Sequence, residues 1–330
     1  MKVLVTGGAG FLGGAVCAHL ADAAHDVRSF NRSTSARLSE LDIEQRRGDL
    51  RDAVAVSAAV AGMDAVVHCA AKTGIWGPAS DFDEINVGGT RNVVDACRRH
   101  GVRRLVHTSS PSVVHAGTDL EGVDETIPLP SRHKAHYPRT KAIAERHVLA
   151  ANSGDLATVA LRPHLVWGPG DPHFLPRIIA RAQAGRLRHL GPTGKIVDTV
   201  YVDNAAAAHV LAVAQLDVGT PITGRAYFIT QGEPVALDVL INSWLAAHGL
   251  PAEHRRLPAW LARTAGIAVE LAFRALRLRA EPPLTRFLVE QLTTAHWFDI
   301  TAARRDLGYT PQIDTAEGLR RLALSAGGTG

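Results

Sequence analysis

Tyr137 and Lys141 have the residue types and the spacing for proton transfer at an alcohol or a ketone. Residues four apart on a helix lie on one face, so the phenol and the ammonium can share a site. A phenol titrates near about 10 in water, and a nearby ammonium or a positive nicotinamide ring favours the phenolate and lowers that pKa. The pair could then exchange a proton with an alcohol–ketone couple near neutral pH. Pro138 fits a helix only in its first turn, so the pattern predicts that Tyr137 stands at a helix start.

A serine-rich segment, Thr108–Val114, follows a predicted buried strand. Catalytic groups collect at the carboxyl ends of parallel strands, so a hydroxyl here could bind the substrate carbonyl. Ser110 is the candidate, and Ser109 and Ser112 are its rivals. The alternative is an ordinary serine-rich turn. The spacing Tyr-x-x-x-Lys is common in proteins and is weak evidence by itself. The serine-rich segment strengthens the assignment of Tyr137 and Lys141 as a catalytic pair.

A glycine-rich turn near the amino terminus could hold a diphosphate. Val3–Val5 is an apolar run typical of a strand buried on both faces of a parallel sheet. Gly7, Gly10 and Gly13 follow at three-residue spacing, before a helix predicted over Ala15–Leu20. The glycines would permit the turn, the approach of a pyrophosphate and close helix–strand packing. The alternative is a glycine loop without a ligand.

The end of the second predicted strand, Asp26–Phe30, indicates which dinucleotide is bound. An acidic residue at this end binds the 2′-hydroxyl of NAD, whereas an arginine accommodates the 2′-phosphate of NADP. The sequence has Asn31 and Arg32 here, with Ser33 and Arg37 close by. It therefore predicts NADPH, unless Arg32 is only a solvated loop arginine.

Strands and helices alternate along the rest of the amino-terminal half. Further strands are predicted over Gln45–Leu50, Asp64–Ala71, Val102–Ser109, Ala157–Arg162, Val197–Asp203 and Arg225–Thr230, and helices over Asn86–Cys97, with Asn86 near its start, and Asn204–Gln215. Asp49 could meet the adenine, the loop Lys72–Pro78 would lie at the ligand edge, and His68 is predicted to be a packed core histidine. This rhythm predicts an α/β fold with a doubly wound parallel sheet and a smaller C-terminal substrate-binding lobe. We expect a dinucleotide-binding domain over 1–165, with 196–230 partly returning to it, and a mostly substrate-binding lobe over 166–330.

Composition narrows the class of protein. Of 330 residues, 46% are hydrophobic and 21% are charged, as in ordinary globular enzymes. The basic residues form no block, so nucleic acid is not expected as a partner. The 16 histidines show no ligand spacing with cysteines or carboxylates, so no metal is expected. Three cysteines read as reduced thiols, and no targeting segment precedes the first strand, so we expect a cytoplasmic protein.

The stretch Pro258–Arg279 is unusually apolar for the second half. Arg263, Glu270 and Arg274 interrupt it, so it does not predict a membrane span. Three alternatives remain open: a helix lining an apolar substrate pocket, a basic amphipathic helix on a membrane surface, or an ordinary core helix.

These motifs together resemble the extended short-chain dehydrogenase/reductase superfamily. The resemblance rests on Thr6–Gly13, the Ser110 segment and Tyr137–Lys141, with Asn86–Thr90 and Leu161–Gly168 in addition. Within it the chain resembles the 3β-hydroxysteroid dehydrogenase branch, and more closely the 2-alkyl-3-oxoalkanoate reductases of bacterial long-chain olefin biosynthesis. The segments behind this last step are Ala71–Gly77, Thr108–Val114, Leu161–Asp171, Pro283–Leu292 and Arg304–Pro311.

The resemblance implies an NADPH-dependent reductase acting on the 3-keto group of a long-chain 2-alkyl-3-oxoalkanoic acid. In it Tyr137 protonates the oxygen, Lys141 tunes Tyr137 and holds the ribose, and Ser110, which the family pattern selects over Ser109, orients the carbonyl. The candidate cofactor-binding set is Gly7, Gly10, Phe11, Leu12, Gly13, Asn31, Arg32, Ser33, Asp49, Leu50, Ala70, Ala71, Lys72, Tyr137, Lys141, Pro163 and His164.

Other functions are weighed against this one. Steroid dehydrogenases of the branch typically place an Asp where this chain has Asn31, which favours the reductase. A nucleotide-sugar epimerase relative is disfavoured by the apolar second half, and a non-catalytic dinucleotide sensor by the intact set of Ser110, Tyr137 and Lys141. By resemblance, the partners are a long-chain acyl substrate, a β-lactone synthetase, a β-lactone decarboxylase and a second copy of the chain in a homodimer.

Overall fold

The computed structural model describes residues 1–172, 174–276, 278 and 280–327. The strands are β1 (Lys2–Thr6), β2 (Asp26–Asn31), β3 (Glu44–Arg47), β4 (Ala65–His68), β5 (Arg104–Thr108), β6 (Leu120–Val123), β7 (Ala157–Pro163), β8 (Val166–Trp167), β9 (His189–Leu190), β10 (Ile196–Val197), β11 (Val200–Tyr201), β12 (Arg225–Ile229), β13 (Val235–Ala236), β14 (Arg256–Leu257) and β15 (His296–Phe298). The helices are α1 (Phe11–Asp22), α2 (Ala36–Glu40), α3 (Ala53–Val60), α4 (Ala79–Phe82), α5 (Gly89–His100), α6 (His136–Ala150), α7 (Phe174–Gln183), α8 (Val202–Gln215), α9 (Leu237–Ala247), α10 (Ala259–Ala275), α11 (Arg286–Thr293), α12 (Thr301–Leu307) and α13 (Thr315–Gly327).

Seven strands form the central sheet, in the order β12-β7-β5-β4-β1-β2-β3. Every neighbouring pair is parallel. The apolar runs explain this arrangement, because a parallel sheet is covered by helices on both faces. In β1, for example, Val3 and Val5 pack into one core cluster and Leu4 into the other. The predicted doubly wound α/β fold is confirmed.

The second half both extends this sheet and builds a separate region. β12 pairs with β7 at the sheet edge, and α8 packs along α1. The mixed sheet β13-β10-β15-β6 and the helices α9 to α11 lie outside the central sheet. The carboxyl ends of β1, β4, β5 and β7 therefore meet at one edge, where the predicted site residues are placed.

The strand predicted over Val197–Asp203 is wrong. β10 ends at Val197, β11 covers Val200–Tyr201 in another sheet, and α8 begins at Val202. The break comes at Asp198, whose carboxylate accepts the Phe298 N–H at 2.8 Å. The third strand also ends earlier than predicted, at Arg47.

The helix predicted from Asn86 begins further upstream. α4 starts at Ala79 and runs through a π-helical segment, Asp83–Gly88, into α5. Asn86 therefore lies within the helical run rather than near its start. Such π segments are frequent at functional sites, and this one turns the Asn86 amide toward the edge of the sheet.

The three cysteines are free thiols, as predicted: Cys17 and Cys97 are buried, and Cys69 is half-buried. Burial raises the pKa of Cys69 to about 11, so this thiol is protonated near neutral pH. Within the described residues, no helix has the length and apolarity needed to cross a membrane.

Candidate active site

The glycine-rich turn between β1 and α1 has the shape of a diphosphate cradle. Gly7 has a φ of +76°, and a Cβ on it would lie 2.9 Å from the Ala70 backbone. A Cβ on Gly13 would overlap the Gly7 carbonyl oxygen, so helix and strand approach as closely as predicted. Gly10 is the N-cap of α1 and has no side chain to satisfy the first-turn N–H groups. The N–H groups of Phe11 and Leu12 can therefore bind an anion, and the residues present fit a dinucleotide.

The end of β2 holds two of the predicted cofactor residues in different ways. Asn31 is buried, and its side-chain oxygen accepts the Ala9 N–H at 2.8 Å, so its amide supports the glycine-rich turn. Arg32 and Ser33 are exposed, and Arg32 makes no hydrogen bond or ion pair with any described residue. The guanidinium is thus free to bind an anionic group at this edge.

Asp49 and Leu50 lie beyond the end of β3. The Asp49 carboxylate is held by Arg51 through two hydrogen bonds of 3.0 and 2.7 Å. These hydrogen bonds lower the pKa of Asp49 and keep the carboxylate charged. Leu50 is buried against Gly89, where a Cβ would come within 2.7 Å of it. Both residues lie at the same edge as Arg32, whose charge also acts on Asp49.

His68 supports the edge of the sheet from within the core. It is 1% exposed, as predicted, and its Nδ1 lies 2.7 Å from the Thr6 hydroxyl. Its Nε2 lies 3.0 Å from the Thr90 hydroxyl, which donates to the Asn86 carbonyl at 2.6 Å. Burial lowers the pKa of His68 to about 3, so the ring is neutral. The Thr6 hydroxyl also accepts the Ala70 N–H at 3.2 Å, which fixes the backbone at this residue of the candidate cofactor-binding set.

Asn86 joins the loop Lys72–Pro78 to the helix that carries Tyr137. Its Oδ1 accepts the Lys72 N–H at 2.7 Å, and its Nδ2 donates to the Lys72 carbonyl at 3.1 Å and to the Thr140 hydroxyl at 3.0 Å. The Thr140 hydroxyl in turn donates to the Tyr137 carbonyl at 3.1 Å. Through this amide, the π-helical segment positions both the loop and the start of α6.

Tyr137 stands in the first turn of α6, as its proline neighbour predicts. Burial raises the pKa of its phenol, and a hydrogen bond with Ser110 opposes that rise. The expected lowering of this pKa by Lys141 is not found, because the Lys141 ammonium is directed toward β5. The Tyr137 phenol is therefore neutral near pH 7 and can act as a proton donor.

Ser110 caps the short 3₁₀ turn Pro111–Val113. Its hydroxyl lies 3.0 Å from that of Ser112 and accepts the Ser112 N–H at 3.2 Å. Ser109 is 3% exposed, and its hydroxyl has no partner within the described residues. Of the three serines, Ser110 is the one whose hydroxyl acts on the pKa of the Tyr137 phenol, which it lowers.

Lys141 is 3% exposed and is anchored to β5. Its ammonium donates to the Thr108 carbonyl at 2.5 Å and to Nε2 of His107 at 3.3 Å. Burial lowers the pKa of Lys141 to about 8, and Glu145 opposes this effect. Burial also keeps the pKa of His107 well below its usual range, so this ring is a neutral acceptor. The ammonium is charged near neutral pH and keeps one N–H for a ligand.

Glu145 lies one helical turn beyond Lys141 and forms a buried ion pair with Arg162 of β7. The two hydrogen bonds measure 2.9 and 2.6 Å, and the side chains are 1% and 5% exposed. Sequence reasoning missed this pair, although the four-residue spacing from Lys141 to Glu145 was a usable signal. It also missed His107, which no local pattern marks, because its contact with Lys141 crosses from α6 to β5.

Pro163 and His164 close the opposite side of the site. Pro163 ends β7, and the His164 N–H donates to the Ile229 carbonyl at 3.1 Å. The ring of His164 is 6% exposed, and its Nε2 lies 2.7 Å from Nδ1 of His296, whose Nε2 donates to the Gln291 carbonyl. This contact fixes the His164 ring, and burial keeps its pKa well below the usual range.

The predicted stretch Pro258–Arg279 forms α10, with Pro258 as its N-cap; Arg277 and Arg279 lie outside the described residues. Its large apolar side chains are mostly exposed, so the alternative of an ordinary core helix is wrong. The stretch contacts the loop Lys72–Pro78, called here the active-site loop: the Phe273 ring lies 6.1 Å from that of Trp76, and Nε1 of Trp76 donates to the Leu278 carbonyl at 3.0 Å. Trp260 and Leu271 are 70% and 60% exposed and do not form the wall of a closed pocket.

Comparison with known proteins identifies relatives over nearly the whole chain. Residues 4–259 match the model of the 3-beta hydroxysteroid dehydrogenase/isomerase family. A 2-alkyl-3-oxoalkanoate reductase of Stenotrophomonas maltophilia is 51% identical over 328 residues, covering 99% of both chains. The enzyme of that name from Shewanella oneidensis is 44% identical, over 97% of this chain and 85% of its own. A 3 beta-hydroxysteroid dehydrogenase/Delta 5→4-isomerase of Mycobacterium tuberculosis is 38% identical, over 96% and 88%.

Solved structures share the fold at lower identity. MoeE5 in complex with UDP-glucose and NAD superposes with a TM-score of 0.76 at 25% identity, covering 100% of this chain and 99% of that one. UDP-glucose 4-epimerase of Thermus thermophilus in complex with NAD gives a TM-score of 0.75 at 25% identity, with complete coverage of both chains. Both of these neighbours hold NAD, and both share the fold of this chain.

Proposed function

The chain belongs to the 3-beta hydroxysteroid dehydrogenase/isomerase family. We propose that it reduces the 3-keto group of a long-chain 2-alkyl-3-oxoalkanoic acid with NADPH. As a member it is an oxidoreductase that acts on a ketone or on the corresponding alcohol. The observation that carries the substrate assignment is the 51% identity, over 99% of both chains, to a 2-alkyl-3-oxoalkanoate reductase. The arrangement of Ser110, Tyr137 and Lys141 supports it.

The nicotinamide dinucleotide would supply the hydride for this reduction. The turn from Gly7 to Gly13 would hold its pyrophosphate, because a Cβ at either end would meet neighbouring backbone. Arg32 would bind the 2′-phosphate, which favours NADPH over NADH. Lys141 would hold the nicotinamide ribose, and Ala70 and Pro163 would border the ring.

Three side chains of the protein would do the remaining chemistry. Ser110 would donate a hydrogen bond to the keto oxygen and hold it beside the Tyr137 phenol. As a hydride adds to the carbon, the phenol would give its proton to the oxygen, so that the ketone becomes a secondary alcohol. Lys141, charged near neutral pH, would stabilise the phenolate that results.

The proposal extends to the protein's biochemical setting. In long-chain olefin biosynthesis the 3-hydroxy acid product would pass to a β-lactone synthetase and then to a β-lactone decarboxylase. A homodimer through the helical run that contains Asn86 and through α6, which carries Tyr137, also belongs to the proposal. The alternative activity is dehydrogenation of a 3β-hydroxysteroid, which is supported by the 38% identical relative from Mycobacterium tuberculosis.

A substrate screen tests the proposal. NADPH oxidation would be followed with long-chain 2-alkyl-3-oxo acids, 3-ketosteroids and UDP-sugars that carry a keto group. We expect turnover on the acids, and a loss of at least about a hundredfold in Tyr137→Phe with cofactor affinity retained. Turnover confined to steroids or UDP-sugars would refute the substrate assignment, and near-normal turnover in Tyr137→Phe would remove Tyr137 from the chemistry.

A further inference from the structure

Helix α10 turns a continuous apolar surface toward solvent. Trp260, Leu261, Ile267 and Leu271, called here the α10 outer face, are 70%, 40%, 38% and 60% exposed. At 100° per residue they lie within about a third of the helix circumference, and the residues between them on that arc are alanines and Thr264. Ordinary surface helices place charged and polar groups on this side.

The opposite side of α10 already has its partners. Ala262, Gly266 and Glu270 form its buried stripe. A Cβ on Gly266 would lie 3.3 Å from the Thr285 backbone, so α10 packs closely against the start of α11. Glu270 accepts hydrogen bonds from the Arg286 N–H at 2.7 Å and from its guanidinium at 2.9 Å. The α10 outer face is therefore additional to the surface that holds the helix in the fold.

The exposed charges of α10 are all positive. Arg263 and Arg274 lie along the same edge of the outer face, next to Ile267, and the one acidic residue of the helix, Glu270, is buried and paired with Arg286. The guanidinium of Arg274 also lies 5.9 Å from the Trp76 ring, at the active-site loop. An apolar strip bordered by arginines is complementary to a surface that is apolar beneath and anionic on top.

This surface is concentrated rather than scattered. Twelve large hydrophobic side chains are exposed among the described residues, and six of them lie between 260 and 278. The other six are dispersed; Leu324 on α13, for example, is 65% exposed without such a cluster around it. Contiguous patches of this kind mark interaction sites.

We propose that the α10 outer face binds the surface of a bilayer containing anionic phospholipids, with the helix lying in the plane of the headgroups. Trp260 and the aliphatic side chains would enter the acyl boundary, and Arg263 and Arg274 would contact lipid phosphates. Because Phe273 packs on Trp76, a bound helix would hold the active-site loop at the membrane. That last consequence, delivery of a two-tailed acid from lipid, rests on the proposed function; binding to lipid does not.

Vesicle cosedimentation tests the proposal without substrate. The purified chain would be mixed with two kinds of vesicle. One is pure phosphatidylcholine, and the other also contains about 30 mole per cent of the anionic lipid phosphatidylglycerol. We expect binding to the anionic vesicles, weakened at least about tenfold in Leu271→Ser, because that variant removes a large apolar side chain from the acyl boundary. Arg263→Gln with Arg274→Gln should reduce binding to anionic vesicles and leave weak binding to neutral ones.

Leu324→Ser is the matched control, because it removes an equally exposed leucine from α13. It should bind vesicles like the unmodified chain, and both serine variants should retain turnover on a short, soluble ketone, which excludes misfolding. The emission of Trp260, assigned with Trp260→Phe, should shift to the blue on anionic vesicles.

Three results would overturn the proposal. They are the absence of binding to anionic vesicles, an equal loss in Leu324→Ser, and a concentration-dependent dimer that Leu271→Ser dissociates. The last result would identify the outer face as a protein interface. Failure of the substrate screen with intact vesicle binding would refute the proposed function alone.

Discussion

Replacing Arg32 by alanine should weaken NADPH binding and leave NADH binding nearly unchanged. The guanidinium is exposed at the carboxyl end of β2 and has no ion pair with a described residue, while the nearby carboxylate of Asp49 is taken by Arg51. Its removal therefore breaks no hydrogen bond or ion pair among the described residues. What it removes is the charge-assisted contact to the 2′-phosphate, a group that NADH lacks.

The size of the effect follows from this exposure. A hydrogen bond to a charged group contributes about 1.5–3 kcal/mol, and solvent screening of an exposed pair puts Arg32 at the lower end. About 1.5 kcal/mol corresponds to a roughly tenfold rise in the NADPH dissociation constant. The dissociation constant of NADH should change by less than about twofold, because NADH has no 2′-phosphate for Arg32 to bind.

Calorimetric or fluorescence titration of both cofactors measures the two constants. Arg46→Ala is the control, since Arg46 is an exposed arginine on the neighbouring β3 and is already paired with Glu44 at 2.6 Å. In Arg46→Ala, the ratio of the NADPH and NADH dissociation constants should equal that of the unmodified chain. If the ratio is equally unchanged in Arg32→Ala, the reasoning for NADPH is refuted and Arg32 is a surface residue.

Three further predictions concern single side chains. Ser110→Ala should lower kcat strongly, whereas Ser109→Ala should have a small effect because its buried hydroxyl has no partner in the described chain; steady-state kinetics would show the order, and the reverse order would contradict the assignment. The value of kcat/KM should fall as pH rises through about 8, because Lys141 loses its proton there. A value of kcat/KM that stays constant up to about one pH unit above 8 would contradict the role of the Lys141 ammonium. Burial raises the pKa of Asp198 from 3.8 to about 7, so its contribution to the free energy of unfolding is full below about 4 and declines as pH rises to about 7. Asp198→Asn should remove this decline in the free energy of unfolding, which is at most about 4 kcal/mol between about pH 4 and about pH 7 and is measured by urea titration at both values. An unchanged pH dependence of the free energy of unfolding in Asp198→Asn would refute this prediction.

Local patterns were sufficient to predict the framework of the fold. Unbroken apolar runs such as Val3–Val5 are typical of strands in a parallel sheet, which helices cover on both faces. The glycine spacing predicted a close approach of helix and strand, and Gly13 makes that approach. Pro138 fixed the start of α6, because a proline fits only the first turn of a helix.

Contacts between distant segments could not be predicted from such patterns. The Asp198 carboxylate takes an N–H from a residue one hundred positions away, and the predicted strand Val197–Asp203 breaks there. The ammonium of Lys141 contacts His107 and the Thr108 carbonyl on β5, and burial raises the pKa of Tyr137 where the sequence predicted a lowering. For α10, the sequence showed the apolar residues but not that a stripe of Ala262, Gly266 and Glu270 would be the buried side.

Transfer of deuterium from labelled NADPH tests the central claim most directly. The unmodified chain would be incubated with NADPH carrying deuterium at the reactive face of the nicotinamide and with a long-chain 2-alkyl-3-oxoalkanoic acid, and the product would be analysed by mass spectrometry. We predict a 3-hydroxy acid with one deuterium, bound to carbon 3, and no such product from Tyr137→Phe on the same timescale. An unreduced acid in the presence of bound NADPH, or deuterium appearing only when a steroid ketone is supplied, would contradict the claim.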